Sequence, residues 1–192
     1  PPIHQSSITA SHYALDSHAV RKREEGRVHL DGFLSYPSAV YTVPYGVMVP
    51  KEVGNLLLPV PVSGSHIGFS TLRMEPCWMA MGQAAGIASA LSIDGKVKVQ
   101  NIDLSRLQDK LIDQKATLMY FKDVDYMSPH FRMVQYLGLR GYLPEWDARL
   151  QEPVDMATLT AWKKLSGKDL PGIEAGKTTR LVALEMIYRK IK

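Results

Sequence analysis

The sequence predicts an α/β chain of the α+β kind, with strands first, then a strand-loop-helix unit, then a small helical module. Three observations carry this prediction. Residues 1 to about 60 are rich in β-branched and aromatic residues and are broken by Pro37, Pro44, Gly46 and Pro50, the texture of strands and turns. A helical run follows, from Pro76 to about Ser92, built almost entirely of small or sulfur-bearing residues. After about residue 116 helix starts alternate with glycine stops. The chain therefore divides into 1–116 and 117–192.

The elements follow in order. "SITASHYALDSHAV" and "AVYTVPYGVMVP" read as strands, Lys51 to Asn55 as a turn, and "NLLLPVPVSGS" as a short buried strand running into a Gly/Ser loop. The next helix begins at Pro76, whose fixed φ suits a first turn, and stops at Asp94 and Gly95. A second helix is predicted over Leu104 to Gln114, capped by Asp103, with Leu104, Leu107, Leu111 and Ile112 on one face. In the tail, Ser128 and Pro129 start a helix that ends at Gly141. Asp155 or Met156 starts one that ends at Gly167, and Thr178 or Thr179 starts the last.

Composition excludes several classes of function. With 45% hydrophobic and 22% charged residues, the 192-residue chain falls in the ordinary soluble class. No apolar run approaches the ~20 residues of a membrane span. The net charge of +4 is spread out, and Arg21, Lys22 and Arg23 are answered at once by Glu24 and Glu25, so nucleic acid is not expected as a partner. One cysteine, Cys77, leaves no disulfide framework, and no His, Asp or Glu spacing suggests a metal. A start at Pro1, without Met or a signal peptide, suggests a piece of a longer or processed protein. Compartment stays open, periplasmic or secreted included.

The small-residue helix raises a question of its own. Gly82 and Gly86 lie four apart on one face, and each costs ~1 kcal/mol relative to Ala inside a helix. Close packing against another backbone would offset that cost, and so would a ligand against the same face. At the helix start, Glu75-Pro76-Cys77-Trp78 leaves amides that, with the macrodipole, suit an anion or an electron-rich carbonyl. Upstream, Ser63-Gly64-Ser65 would let a flat molecule approach the backbone.

These residues carry a resemblance. Pro44-Tyr45, Pro50-Lys51, Asn55-Leu56-Leu57, Ser63-Gly64-Ser65-His66, Arg73-Met74-Glu75-Pro76 and Met81-Gly82-Gln83-Ala84-Ala85-Gly86 resemble, in order, the C-terminal part of FAD-dependent oxidoreductases of the glutathione-reductase-like type. Leu15 to Val20 is similar to that family's substrate side. The resemblance spans about residues 12 to 115. It implies FAD as cofactor, with hydride transfer between an organic or carbohydrate substrate and the flavin. It implies a helix whose N-terminus faces the flavin's pyrimidine edge, with Ser63, Gly64, Ser65, Glu75, Pro76, Cys77, Trp78, Met79 and Gly82 lining the cofactor. Two departures stand out: G-x-G-x-x-G is absent, which implies that a missing N-terminal Rossmann part holds the pyrophosphate, and Pro59-Val60-Pro61 stands where the family has Gly-Asp or Gly-Arg. Some relatives carry a xanthan lyase label, which no residue cluster here supports.

His66 and Arg73 are the candidate catalytic residues. His66 can give or take a proton near neutral pH, or can be a loop histidine bonded to backbone. Arg73 can clamp a carboxylate or phosphate, or can pair with Glu75. Asp16 and His18 alternate on one strand face, where a carboxylate can orient an imidazole, or where both are simply solvated. Cys77 is either activated by the dipole or buried and inert. Trp78, Met79 and Met81 read as core or cofactor packing.

The tail, with Phe121-Lys122-Asp123-Val124 leading into a helix that ends at Gly141, resembles one helical repeat of S-layer homology domains. That resemblance implies a rival function as a wall- or polysaccharide-binding module. The alternative is an appendage packed on the first part or a contact for a second copy of the chain.

Overall fold

The computed structural model describes residues 3–18, 25–26 and 33–192. Four strands come first: β1 (Ser7–Ser11), β2 (Leu15–His18), β3 (Phe33–Tyr36) and β4 (Tyr41–Pro44). Six α-helices follow: α1 (His66–Leu72), α2 (Glu75–Gly95), α3 (Leu104–Asp113), α4 (Phe131–Leu139), α5 (Met156–Ser166) and α6 (Arg180–Ile191). Among the described residues this is an α+β arrangement, and no helix there is long and apolar enough to cross a membrane. Of the charged run at 21–25, only Glu25 lies within the described residues.

Two antiparallel ladders form, β1 with β4 and β2 with β3. In the first, Thr9 faces Val43 and Ser7 faces Pro44, so one extra residue on β1 makes a bulge at Ile8, which is buried. The strand expected over 55–65 does not form. Pro59 and Pro61 have no N–H to give to a ladder, and the segment instead makes isolated bonds from Leu58 N–H to the Met48 carbonyl and from Ser63 N–H to Val47. Val60 is exposed rather than buried. A helix not expected from the sequence, α1, begins straight after that loop. Ser65 caps it by accepting from the Gly68 N–H at 3.0 Å.

α2 is the centre of the first part. Cys77, Met81, Ala84, Ala88 and Leu91 recur at helical spacing and are buried against β1 and α3. The helix runs to Gly95, three residues past the expected Ser92, and ends with Lys96 in the left-handed region (φ 51°). α3 is capped as expected by Asp103, which accepts from Ser105 and Arg106 N–H groups. Its buried Gln108 donates to the carbonyls of Gln5 and Ser7, tying α3 to β1.

One contiguous core runs from Ile8 to Ile187. Arg132 of α4 reaches Asp109 and Asp113 of α3, and Lys192 also reaches Asp109, at 3.0 Å. The tail therefore packs on α3. Buried Gln135 fixes the connection before it, accepting from Leu118 and Met119 N–H and donating to the Met119 carbonyl. α4 starts at Phe131, three residues after Ser128, whose hydroxyl serves His130 N–H instead of capping the helix. α5 and α6 carry the expected caps, Asp155 and Thr179.

Candidate functional site

The residues singled out by sequence sit on one elbow, formed by the loop 63–65, α1 and the first turns of α2. Ser63, Gly64, Ser65 and His66 are all exposed. α1 carries the chain from His66 to Leu72, a rise of about 9 Å at 1.5 Å per residue, before Arg73 and Met74 lead into α2. The two groups thus form the ends of one surface rather than a single point.

At the α2 terminus, Cys77 and Trp78 N–H groups both turn to the Met74 carbonyl, at 3.0 and 3.1 Å. Pro76 has no N–H, so the donors this end can present are those of Met74 and Glu75. Glu75 is exposed and its carboxylate already complements the positive end of the dipole. Cys77 is buried, and burial pushes its thiol pKa up while a hydrogen bond with Ser11 pulls the other way. This is the buried, inert alternative.

Arg73 has found a partner across 57 positions: its guanidinium meets the Asp16 carboxylate at 2.7 Å and lies 5.7 Å from the centre of the Tyr13 ring. Tyr13 donates to the same carboxylate at 3.2 Å. The Asp16 N–H donates to Ser70 of α1. The pair ties β2 to the elbow, and Glu75 is not the partner. The side chain of His18 lies outside the described residues.

The outer face of α2 is the most unusual surface of the site. Met79 is 77% exposed and Ile93 76%, on the side opposite Met81 and Ala88. Between them lie Gly82, Gly86 and Ala90, and a Cβ built on either glycine meets nothing within 4 Å. Nothing among the described residues offsets the cost of those glycines. A helix apolar on all sides belongs in an interior, and this one lacks a cover on one side.

Two hollows flank that face. One, of about 500 Å³, lies between β1 and α2, with Ser11, His12, Ala80, Gln83, Thr117 and Tyr120 among its walls. The other, of about 390 Å³, lies between α2 and α3 beside Ala90, Asp94 and Lys110. Gln83 donates to Gln114 at 2.9 Å. Sequence reading gave Ser11, His12 and Gln83 no shared site, because only the packing of β1 on α2 brings them together.

The residues present fit one edge of a flat cofactor. Exposed hydroxyls at Ser63 and Ser65 stand at one end. At the other, the indole N–H of Trp78 is buried and has no acceptor among the described residues. A model of the family described as FAD dependent oxidoreductase matches residues 3–111. No curated protein and no solved structure gives a significant match.

Proposed function

The chain belongs to the FAD dependent oxidoreductase family, whose cofactor is FAD, and from that premise we propose that residues 63–86 close over the flavin end of the cofactor. The observation that carries the proposal is the uncovered outer face of α2, apolar and lined by Gly82 and Gly86. The flavin, when bound, supplies a two-electron acceptor for a hydride from an organic substrate.

This chain's residues then have separate tasks. Ser63, Gly64 and Ser65 give a narrow, hydroxyl-bearing edge against which a ring system can lie, and Trp78 packs behind the first turn of α2. The amides of Met74 and Glu75 and the α2 dipole favour negative charge beside that terminus. Pro76, Cys77 and Met79 shape its first turn, with Met79 against the ring. His66, at the mouth, holds or releases a proton on the substrate side. Arg73 works through its grip on Asp16, which keeps β2 and the elbow in register.

The test is the visible spectrum of the purified protein in the longest form containing these residues, with the chromophore released by heat and identified. Stoichiometric flavin, lost in Gly82→Leu and retained but catalytically slow in His66→Ala, is the expected result. A colourless protein that takes up no added FAD overturns the proposal.

A further inference from the structure

In the helical tail, outside the stretch matched to the flavoprotein family, Arg180 is only 6% exposed. Arginine is rarely that buried unless a counter-charge accompanies it. Here its Nε–H donates to the Ala148 carbonyl at 2.9 Å, and its guanidinium lies 5.3 Å from the centre of the Trp162 ring. Among the described residues no carboxylate stands within ion-pair distance of it.

Its neighbour has a matching deficit. Arg149 gives one guanidinium nitrogen to Glu145, yet its Nε–H is buried and has no acceptor among the described residues. Both arginines line one cavity of about 110 Å³, together with Gly141, Tyr142, Thr158 and Trp162. The cavity is held in shape. Asp123 accepts from the N–H groups of both Ala148 and Arg149, at 2.8 and 2.7 Å, and Arg149 sits in the left-handed region at φ 52°. The Trp162 indole donates to the Tyr142 carbonyl at 2.8 Å. Burial, and then repulsion from Arg149, holds the Arg180 pKa below its ordinary value, so the two cations feel each other in a poorly solvated place.

We propose that this cavity binds a small organic monocarboxylate, held between the guanidinium groups of Arg149 and Arg180. A planar carboxylate has two oxygens to match two guanidinium edges, and charge-assisted bonds of that kind are the strong ones. A single negative charge also suits the surroundings. Glu145 borders the cavity, and Glu152 and Asp155 lie within electrostatic reach of Arg180, so each further negative charge on a ligand adds repulsion from three carboxylates. The hollow admits a few heavy atoms, and anything larger must extend out of its mouth.

The experiment is a titration of the whole chain with sodium acetate, against sodium chloride and sodium phosphate at matched ionic strength and neutral pH, followed by the indole N–H resonance of Trp162. Acetate is expected to move that resonance saturably and to raise the melting temperature above the chloride control. Arg149→Gln, at a half-exposed side chain, should keep a cooperative melt in chloride and weaken acetate about tenfold to a hundredfold, the loss expected for one charged hydrogen bond. Arg180→Lys should weaken it as well. If that variant does not fold, Arg149→Gln decides alone. Acetate acting no differently from chloride overturns the proposal, as does unchanged acetate affinity in Arg149→Gln. Phosphate binding tighter than acetate overturns the assignment to a monocarboxylate.

Discussion

Replacing Gly82 and Gly86 together by alanine separates what α2 does inside this chain from what its outer face is for. A Cβ at either position meets nothing within 4 Å, so the substitution carries no steric cost in the chain as it stands. What remains is helix propensity, about 1 kcal/mol for each glycine, or about 2 kcal/mol for the pair. For a chain of this size that corresponds to a rise of roughly 4–8 °C in melting temperature. The assay is thermal and urea unfolding of the 192-residue chain followed by helix signal, in the absence of FAD. Flavin content of the same variant is measured in parallel, where methyl groups on the cofactor-side face should lower retention and leucines should abolish it. A double alanine variant that unfolds earlier than the parent chain would refute the reasoning, because the glycines would then be packed within the chain. Leucine variants that hold flavin as well as the parent would show that this face does not meet the cofactor.

Other substitutions carry different signs. Gly138 of α4 is the opposite case: a Cβ there would stand 2.9 Å from Met119 Sδ and 2.9 Å from the buried ring of Phe121. Crowding outweighs the ~1 kcal/mol of propensity, so Gly138→Ala should lower stability by about 1 kcal/mol or more, read as a lower urea midpoint with unchanged slope. Burial pushes the Tyr45 hydroxyl, which donates to the Val99 carbonyl, up to about 12. Since the raised value favours the protonated form in the fold, that contribution is intact below about pH 10 and is lost as pH rises through about 12. An ultraviolet titration should show a late phenolate that Tyr45→Phe removes. Asp155 is lowered by its bonds with Thr158, so its contribution is present above about pH 4 and lost as pH falls below the depressed value. Asp155→Ala should therefore flatten the acid limb of the stability curve and leave the alkaline limb alone.

What could be read in the sequence was local. Asp103, Asp155 and Thr179 are caps whose short side chains satisfy nearby amides, so α3, α5 and α6 begin where expected. The flavoprotein motif likewise lies in continuous stretches, and residues 63–86 stood out without coordinates. α1 did not, because its seven residues are too few for a period and include Gly68, which weakens the helical signal. The strand at 55–65 was misread because apolar composition says nothing about whether a partner strand is available, and two prolines remove the donors it would need.

Tertiary structure decided the rest, for physical reasons. α2 carries apolar or small residues round most of its circumference, so its own pattern carries little direction, and only β1 and α3 determine that Met81 and Ala88 go in while Met79 and Ile93 stay out. Charge pairing is decided by distance in space rather than in sequence: Arg73 passes over Glu75, two residues away, for Asp16. Arg149 and Arg180, thirty-one positions apart, meet in one cavity because Asp123 pins the turn that carries Arg149 and α6 begins beside it. The sequence by itself determined where α3, α5 and α6 start and which family the chain resembles. Which face of α2 turns inward, and which charges lack partners, follows only once the core has closed, since burial and pairing belong to the packed chain.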